Sequence, residues 1–517
     1  MRQSWKAGAC AALLAGAAFL SLGAEEPPHF ATGAKPVDPA LYARLPKVRR
    51  HRAWLPRSVD LSDRFPMPGR QGLESDCVEW ATVYAARSFL MSADIGHRPI
   101  QSEELASPAY VYNRLRPAGS SCSVSTQMVD ALNLLKNEGV VSVADFPDEP
   151  GKCASPAPEG LRIKAASLKI SEWRAVDRET PQDWRTPLIL DDVKGSLARG
   201  VPVVFAMPIT KDYERWHGDG VFHQAERIGD NWHAMALVGY DEDRQAFRLI
   251  NSWGPNWGDH GYAWIDYATF QALAGEAYAL EPASKQAPMV APPSPALPPL
   301  DQLRVLAASM PCASAAVREE NGHAVIDGFG GLQDSLDETM AAASKIDARA
   351  EWRVAFHPWP QCEAELTLSG ALRASPVKLW VDRPDGGPMS GDPVALRGGD
   401  RFGVTAETSA ARPYLDIIYL QADGSAVELY RGQPGGDGKS PRRTDIGVGG
   451  PRQVRFEVAP PYGDEILIAI AADRPLFGPD LAIHGTERQF LTTLRARLVA
   501  QPGAGVSAAV LRLRTSA

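Results

Sequence analysis

Cys77 lies in the stretch QGLESDCVEW, residues 71–80, and is the residue whose chemistry first demands an explanation. Three acids flank it, Glu74, Asp76 and Glu79, although a reactive thiolate is usually stabilised by positive surroundings. Two interpretations follow. Cys77 is either a nucleophile that works against its neighbours or a buried cysteine that packs like a small hydrophobic residue.

His233 and Asn251 are the partners that a nucleophilic thiol would need. His233 begins a strand-like stretch, and an Asp-rich turn leads into a second one, AFRLIN, which ends at Asn251. Two antiparallel strands joined in this way can bring the two residues side by side. An imidazole held by an amide oxygen has its tautomer fixed, and its other nitrogen can take a thiol proton. We expect Trp253 and Trp257 to shield that hydrogen bond from water.

The residues around the cysteine predict a helix that begins at Cys77. An apolar stripe at helical spacing follows it, formed by Val78, Ala81, Ala85 and Phe89. We expect Asp76 to be the N-cap and Glu79 to reach back towards it. The unpaired N–H groups and the dipole of the first helical turn would then favour an anion at Cys77.

The first 24 residues have the pattern of a signal peptide. Arg2 and Lys6 precede an apolar run from about Ala7 to Leu22, and small residues lead to a cleavage point after Ala24. The run is shorter than the ~20 residues that a membrane span needs, so we regard an anchor as the alternative. We therefore predict an exported protein, periplasmic or extracellular.

Export makes the other cysteines informative. Without Cys10, which lies in the apolar run, an odd number of cysteines remains in an oxidising compartment. Four of them fall into two pairs, each within one candidate domain: Cys122 with Cys153, and Cys312 with Cys362. If each pair forms a disulfide, Cys77 is left as the free thiol.

At 517 residues the chain is long enough for two to four domains, about 100–200 residues each. A net charge of −8 and ordinary apolar content favour neither disorder nor general nucleic-acid binding. We predict these segments: 1–24 signal peptide, 25–54 short leader, 55–281 mixed helices and strands, 282–300 Pro-rich linker, 301–370 small α+β disulfide-bearing domain, and 371–517 β-sandwich-like domain with a terminal helix. Since the linker implies few contacts across it, we expect a fragment ending near Glu281 to fold alone.

Four elements occur together in one order and spacing: Gln71 six residues before Cys77, then His233-Ala234, then Asn251-Ser252-Trp253-Gly254, then NWGDHGY. Together they resemble the papain-like cysteine peptidases, particularly their bacterial members. The resemblance covers about residues 55–275 and implies an α+β fold with a helical lobe and an antiparallel β lobe. It also implies a cysteine-type peptidase that acts on polypeptides without a cofactor or metal.

The resemblance assigns a role to each of four residues. Cys77 would be the nucleophile and form a thioacyl-enzyme intermediate, and His233 would be general base and then general acid. Asn251 would orient His233, in a Cys-His-Asn arrangement that parallels the serine triads. The Gln71 side-chain amide, with the Cys77 backbone N–H, would hold the oxyanion.

The sequence also departs from the family pattern. Glu74 stands where many members have a cysteine, so one familiar disulfide is missing, while Cys122–Cys153 is similar to a retained one. Because only about 30 residues separate the predicted signal peptide from the domain, we expect no long inhibitory pro-segment of the kind found in many relatives, and we expect the leader to be loose. What restrains the enzyme is then left open.

Several alternatives stay open at this point. The acids around Cys77 allow a papain-like fold that binds peptides without cleaving them, and a thioacyl intermediate also allows acyl transfer to an amine. Residues 395–475 are similar to a bacterial domain of unknown function, which allows an envelope-binding or assembly role with a protein partner. For His217 and His223, no set of metal ligands converges on them in the sequence.

Overall fold

The computed structural model describes residues 30–149, 153, 157–180, 186–224, 229–281, 297–373, 375–385, 387–432, 442–447, 456–478, 484–501 and 504–517. The predicted signal peptide and most of the predicted Pro-rich linker lie outside these residues. Among the helices of the described ranges, none combines the length and the apolar composition needed to cross a bilayer.

Helices dominate the first part of the chain: α1 (Pro39–Arg44), α2 (Cys77–Glu79), α3 (Ser88–Ile95), α4 (Pro108–Leu115), α5 (Met128–Asn137), α6 (Leu161–Ala165), α7 (Leu190–Ala198), α8 (Lys211–Glu214) and α9 (Tyr267–Leu273). A π-helical segment, Trp80–Arg87, joins α2 to α3 without a break. Cys77 therefore stands at the start of one long helix, as predicted.

Eight strands form one sheet beside these helices: β1 (Ser58–Asp60), β2 (Glu172–Ala175), β3 (Val203–Pro208), β4 (Val221–Phe222), β5 (Trp232–Asp241), β6 (Ala246–Ile250), β7 (Tyr262–Asp266) and β8 (Glu276–Glu281). The order is β2-β8-β3-β5-β6-β7-β4, with β1 on β5, and every pair except the parallel β4 and β7 is antiparallel. The predicted α+β class, with a helical lobe and an antiparallel β lobe, is confirmed.

One apolar core joins the helical and sheet parts. The central strand β5 is buried along residues 233–240, and the π-helical segment contributes buried residues to the same cluster. Cys77 belongs to that cluster together with Ala234 of β5. The start of the long helix thus lies against the start of β5, which is where the predicted site must form.

Asp76 occupies the predicted N-cap position, but the predicted capping by the Asp76 and Glu79 side chains is wrong. The Asp76 side chain makes no cap hydrogen bond, because its Oδ2 instead accepts one from the indole N–H of Trp80 at 3.1 Å. Glu79 is fully buried, and neither of its carboxylate oxygens has a hydrogen-bond partner in the described chain. Both acids face the protein interior, so they do not serve the helix terminus.

A smaller unit follows, formed by α10 (Pro299–Ala308), β9 (Ala313–Glu320), β10 (His323–Gly330), α11 (Gln333–Ile346), β11 (Glu351–Phe356), α12 (Gln361–Thr367) and α13 (Ser369–Arg373). Its sheet has the order β11-β10-β9. The sequence predicts one strand over residues 352–368, but the strand ends at Phe356 and α12 follows. Pro358 and Pro360 end it, because proline cannot donate to a strand ladder.

The last part of the chain is mostly β: β12 (Lys378–Asp382), β13 (Val394–Arg397), β14 (Arg401–Thr408), β15 (Tyr414–Leu420), β16 (Ser425–Gly432), β17 (Arg442–Ile446), β18 (Phe456–Glu457), β19 (Asp464–Ala472), β20 (His484–Thr486), α14 (Glu487–Ala500) and β21 (Val506–Ser516). One sheet has the order β12-β14-β17 with β18 on β14, and the other β13-β21-β19-β15-β16-β20. β15 and β16 pair as a hairpin that turns at Asp423-Gly424, a dipeptide typical of hairpin turns. The predicted helix α14 is not terminal, since β21 follows it inside the second sheet.

Both predicted disulfides are present. Cys122 is bonded to Cys153 and Cys312 to Cys362, while Cys77 is the one free thiol among the described cysteines. The second disulfide joins α12 to the turn before β9. The first lies close to the site, because the backbone carbonyl of Cys122 accepts a hydrogen bond from Ser75 at 2.8 Å.

Candidate active site

A hydrogen bond between His233 and Asn251 defines the site. Pairing of β5 with β6 places Ala236 opposite Ile250, so the start of one strand and the end of the other meet. His233 Nε2 lies 2.7 Å from Asn251 Oδ1. The indole of Trp253 stacks on the imidazole at 4.5 Å between ring centroids and keeps water from the bond, as predicted.

Cys77 meets this pair across the junction of helix and sheet. Its sulfur is hydrogen-bonded by the backbone of Ala234, the residue after His233. The His233 Nδ1 atom is buried and has no hydrogen-bond partner among the described residues. The imidazole thus has one nitrogen held by an amide oxygen and the other unpaired at the same end of β5 that the thiol contacts.

Gln71 completes the group through a neighbour of Asn251. The Ser252 hydroxyl donates to Gln71 Oε1 at 2.6 Å, and the Gln71 amide donates from Nε2 to the Glu74 carbonyl at 2.9 Å. The Gln71 backbone N–H also donates to the Ser252 carbonyl at 2.9 Å. These bonds fix the amide plane and use one hydrogen of the Nε2 group. The structure therefore brings all four predicted residues to one place.

Burial sets the protonation of the thiol and the imidazole. Cys77 and His233 are both 0% exposed. Desolvation raises the pKa of the Cys77 thiol far above its usual value, and backbone hydrogen bonds from Ala234 and Gly33 oppose that rise only in part. Desolvation also lowers the pKa of His233 to about 4, against a smaller opposite effect of Asn251. In this state the two groups are neutral.

The acids beside Cys77 are not the ionised carboxylates that the sequence suggests. Burial, with the charges of Asp148, Glu79 and Glu74, raises the pKa of Asp76 well above its usual value. Burial likewise raises the pKa of Glu79 to about 8. The protonated forms are favoured, which weakens the expected opposition between these acids and a thiolate.

Carboxylate oxygens of Glu74, Asp76 and Asp148 lie within 4.8 Å of one another, the spacing of a possible cation site. Such a cluster does not by itself identify a ligand, and we assign none. The two other histidines considered from the sequence have partners of their own. His223 Nδ1 lies 2.9 Å from an Asp266 carboxylate oxygen, and the backbone of His217 forms an isolated β-bridge with Gly258.

Residues 30–37, which we name the covering segment, lie over this site. Phe30 stacks on Trp253 at 4.6 Å between centroids, and the Trp253 indole N–H donates to the Ala31 carbonyl at 3.1 Å. The backbone of Gly33 hydrogen-bonds the Cys77 sulfur. The leader is therefore not loose, and its front part is the reason that the thiol and imidazole are buried.

Backbone pairing holds the covering segment in place. The Thr126 N–H donates to the Gly33 carbonyl at 3.0 Å, and the Thr126 carbonyl accepts from Lys35 N at 2.8 Å. Ala34 N donates to the Trp232 carbonyl at 3.3 Å. A Cβ atom added at Gly33 would lie 2.1 Å from the Ser75 carbonyl oxygen, so this close approach requires glycine.

Comparison with known proteins gives the family. Residues 117–279 match the profile of the papain family cysteine protease, a range that contains His233 and Asn251 but begins after Cys77. This match supports a papain-like cysteine peptidase. A cathepsin L-like proteinase of Phaedon cochleariae is 29% identical over 139 residues, 26% of this chain and 38% of that protein. A cathepsin B-like protein, CP3, of Giardia intestinalis is 36% identical over 70 residues, 13% of this chain and 23% of that protein.

The chain spans less than half the length of these curated relatives. Among solved structures, xylellain, a cysteine protease from Xylella fastidiosa, is 23% identical with a TM-score of 0.40, and the alignment covers 49% of this chain and 97% of that one.

Sequence patterns find the side chains of the peptidase domain's site but miss the groups that contact them through backbone. Thr126, Trp232 and the covering segment act through N–H and carbonyl groups, which every residue has. Ser252 belongs to the Asn-Ser-Trp-Gly motif, which does not indicate a role for its hydroxyl, yet that hydroxyl donates to Gln71. The one signal available for the leader is Gly33 between small residues, which permits a close backbone approach.

We predict that acid loosens the covering segment. The pKa of His233 is about 4 in the covered state and would be about 6.5 if the imidazole were solvated. Between these two pH values only the uncovered state binds the proton, so a fall in pH favours uncovering. Hydrogen exchange at the Ala34 and Lys35 amides, corrected for intrinsic rates, should rise by up to about tenfold per pH unit there. The His233→Asn variant should lose this dependence. Unchanged or stronger protection at low pH in the parent protein would contradict it.

We also predict that Gly33→Ala exposes Cys77. The added Cβ cannot fit against the Ser75 backbone, so the covering segment must move. The rate of Cys77 alkylation by iodoacetamide, followed by peptide mass, should increase by about tenfold or more, as expected for a loss of about 1.4 kcal/mol. Gly160→Ala is the matched control, because nothing lies within 4 Å of a Cβ there. Equal rates for the two variants would mean that the segment does not limit access.

Proposed function

We propose that the protein is an exported cysteine endopeptidase in which Cys77 is the nucleophile, His233 the general base and acid, and Asn251 the residue that orients His233. The observation that carries this proposal is the 2.7 Å bond from His233 Nε2 to Asn251 Oδ1, which leaves Nδ1 without a partner in the described chain while Cys77 packs in the same core cluster as the next residue, Ala234. That arrangement matches the needs of an activated thiol.

The first half of the proposed reaction forms a thioester. His233 Nδ1 takes the Cys77 proton as the sulfur attacks the peptide carbonyl carbon, and the carbonyl oxygen becomes an oxyanion. Collapse of this intermediate breaks the C–N bond, and the imidazolium gives its proton to the leaving amine. Asn251 keeps the imidazole in the required tautomer throughout, since its Oδ1 accepts from Nε2.

The second half uses water. His233 takes a proton from the water that attacks the thioester carbon, and a second oxyanion forms. Its collapse breaks the C–S bond and releases the carboxylic acid, while the imidazolium returns its proton to the sulfur. In both halves the proposed donors to the oxyanion are the remaining Nε2 hydrogen of Gln71 and the Cys77 backbone N–H. Ser252 supports the first donor because its hydroxyl fixes Gln71 Oε1.

A polypeptide is the proposed substrate. The backbone groups of Thr126 and Trp232 that pair with the covering segment are available to any extended chain once that segment leaves. Trp253, on which Phe30 stacks, offers an aromatic surface to a substrate side chain. The leader must therefore move before a substrate can enter.

A peptide-binding protein without catalysis is the second candidate, and one observation favours it. The cleft already holds an extended segment, and the thiol there is neutral. An acyl transferase would use the same thioester with an amine in place of water. Export rests on the predicted signal peptide and is supported by two disulfides, which persist in oxidising compartments. A role of the C-terminal half with an envelope or protein partner remains a proposal.

We predict how three further substitutions change the hydrolysis of a fluorescent unfolded protein. Each is made in protein that also carries Gly33→Ala. Cys77→Ser and His233→Ala should abolish hydrolysis with the fold intact, because each removes a reacting group. Gln71→Ala should lower kcat by about 100- to 1000-fold, the usual effect of losing an oxyanion donor. His223→Ala, an exposed histidine that pairs with Asp266, is the matched control and should have no effect.

Full activity of Cys77→Ser would end the proposal. Tight peptide binding with no hydrolysis in any preparation would favour the binding candidate, and product carrying an added amine would favour acyl transfer.

A further inference from the structure

The rear part of the leader, residues 47–53, is held as firmly as the covering segment. Val48 is buried, and its N–H donates to the Ala175 carbonyl at 2.8 Å. The His51 N–H donates to Asp192 of α7 at 2.8 Å. The His51 ring packs over Gly195, where an added Cβ would lie 2.4 Å from the ring. This rear segment is thus seated on the peptidase domain.

The opposite side of the rear segment faces the C-terminal half. Arg52 forms an ion pair with Glu487 of α14 at 3.1 Å and donates to the Ala422 carbonyl in the turn between β15 and β16. Glu487 is only 2% exposed, and its backbone N–H donates to the Gly424 carbonyl in the same turn. The turn and the start of α14 together form a fitted receptor for one leader guanidinium.

Arg488, the next residue of α14, contacts the peptidase domain, the leader and the small α+β unit. Its Nε donates to Asp191 of the peptidase domain at 2.8 Å, and its Nη2 donates to the Ala53 carbonyl of the leader. Its Nη1 lies 3.6 Å from Glu363 of α12, and the guanidinium stacks 4.5 Å above the Trp359 ring. The side chain is 6% exposed, so these contacts are protected from water.

We propose that the C-terminal half is a latch that keeps the leader over the active site, through Arg52 and Arg488. The covering and rear segments belong to one short stretch of chain. Fixing the rear segment raises the effective concentration of the covering segment at the cleft, so any contact that holds the rear also favours the cover. Charge-assisted hydrogen bonds to buried partners are stronger than neutral ones. Most of the hydrogen bonds of this type at the rear segment involve residues of α14.

The latch gives the C-terminal half a function in regulation. Withdrawal of α14 from the leader, by a binding partner or by cleavage of the chain, would weaken the cover over Cys77 without any change in the catalytic residues. The peptidase consequence rests on the proposed function, but the physical claim about access to the thiol does not.

The test measures Cys77 alkylation in full-length protein, which needs no catalysis. We expect Arg52→Gln to increase the alkylation rate by about 3- to 10-fold and Arg488→Lys by about tenfold or more, because charged hydrogen bonds of this kind typically stabilise by factors of that size. Lysine keeps the positive charge, but its single ammonium group cannot contact Asp191, Ala53 and Glu363 at the same time. Arg49→Gln, at an exposed leader position, should match the parent protein.

Arg497→Gln is the control on α14 itself, since Arg497 is exposed and lies outside the contacts of Arg52 and Arg488 given above. It should change the rate by less than twofold. Arg52 is 45% exposed, so its variant should fold even if Arg488→Lys does not. An Arg52→Gln rate equal to that of Arg49→Gln would overturn the latch.

The same samples separate the latch from the proposed function. Faster alkylation of the Arg52→Gln thiol without hydrolysis of an unfolded protein would support the latch and count against the peptidase. Hydrolysis by the parent protein, with alkylation and activity unchanged in Arg52→Gln, would support the peptidase and overturn the latch.

Discussion

The hydrogen bond between His233 and Asn251 is the interaction on which the site depends. It exists because β5 and β6 are neighbours joined by a tight turn, so residues 18 positions apart become side-by-side partners. Trp253 covers it from one side, and the long helix places Cys77 in the same core cluster as Ala234, the residue after His233. Removal of any of these elements would leave a histidine without a fixed tautomer or a cysteine without a base.

The second constraint is the exclusion of water from the site, which the leader provides. In the described state desolvation disfavours both a thiolate and an imidazolium, so the pair is held neutral. Departure of residues 30–37 would admit solvent and substrate together, and the shifts caused by burial would relax. Under the proposed function, the chain thereby combines a catalytic geometry with an inactive resting state, and the contacts of Arg52 and Arg488 tie that state to the C-terminal half.

Local patterns in the sequence explain why Cys77, His233 and Asn251 could be predicted, whereas Gln71 followed from the family resemblance. The hairpin that carries His233 and Asn251 is short, and the helix that begins at Cys77 has a clear apolar stripe. The roles of Asp76 and Glu79 could not be predicted, because a residue before a helix is equally suited to capping and to burial until its neighbours are known. The ordered placement of the leader could not be predicted, because Gly33 and Ala34 bind through backbone atoms to Thr126 and Trp232, about 90 and 200 positions away. The strand β21 was missed because a helix comes before it near the end of the chain.

The central claim is that Cys77 becomes a nucleophile served by His233 once the leader has left. Its most direct test is the intact mass of protein carrying Gly33→Ala after reaction with a peptidyl epoxide, an electrophile that reports an activated thiol. We predict one adduct per molecule, located at Cys77, and almost none when His233→Ala is added, although iodoacetamide still reaches the sulfur. An exposed Cys77 that reacts with iodoacetamide but not with the peptidyl epoxide, or labelling that does not depend on His233, would contradict the account.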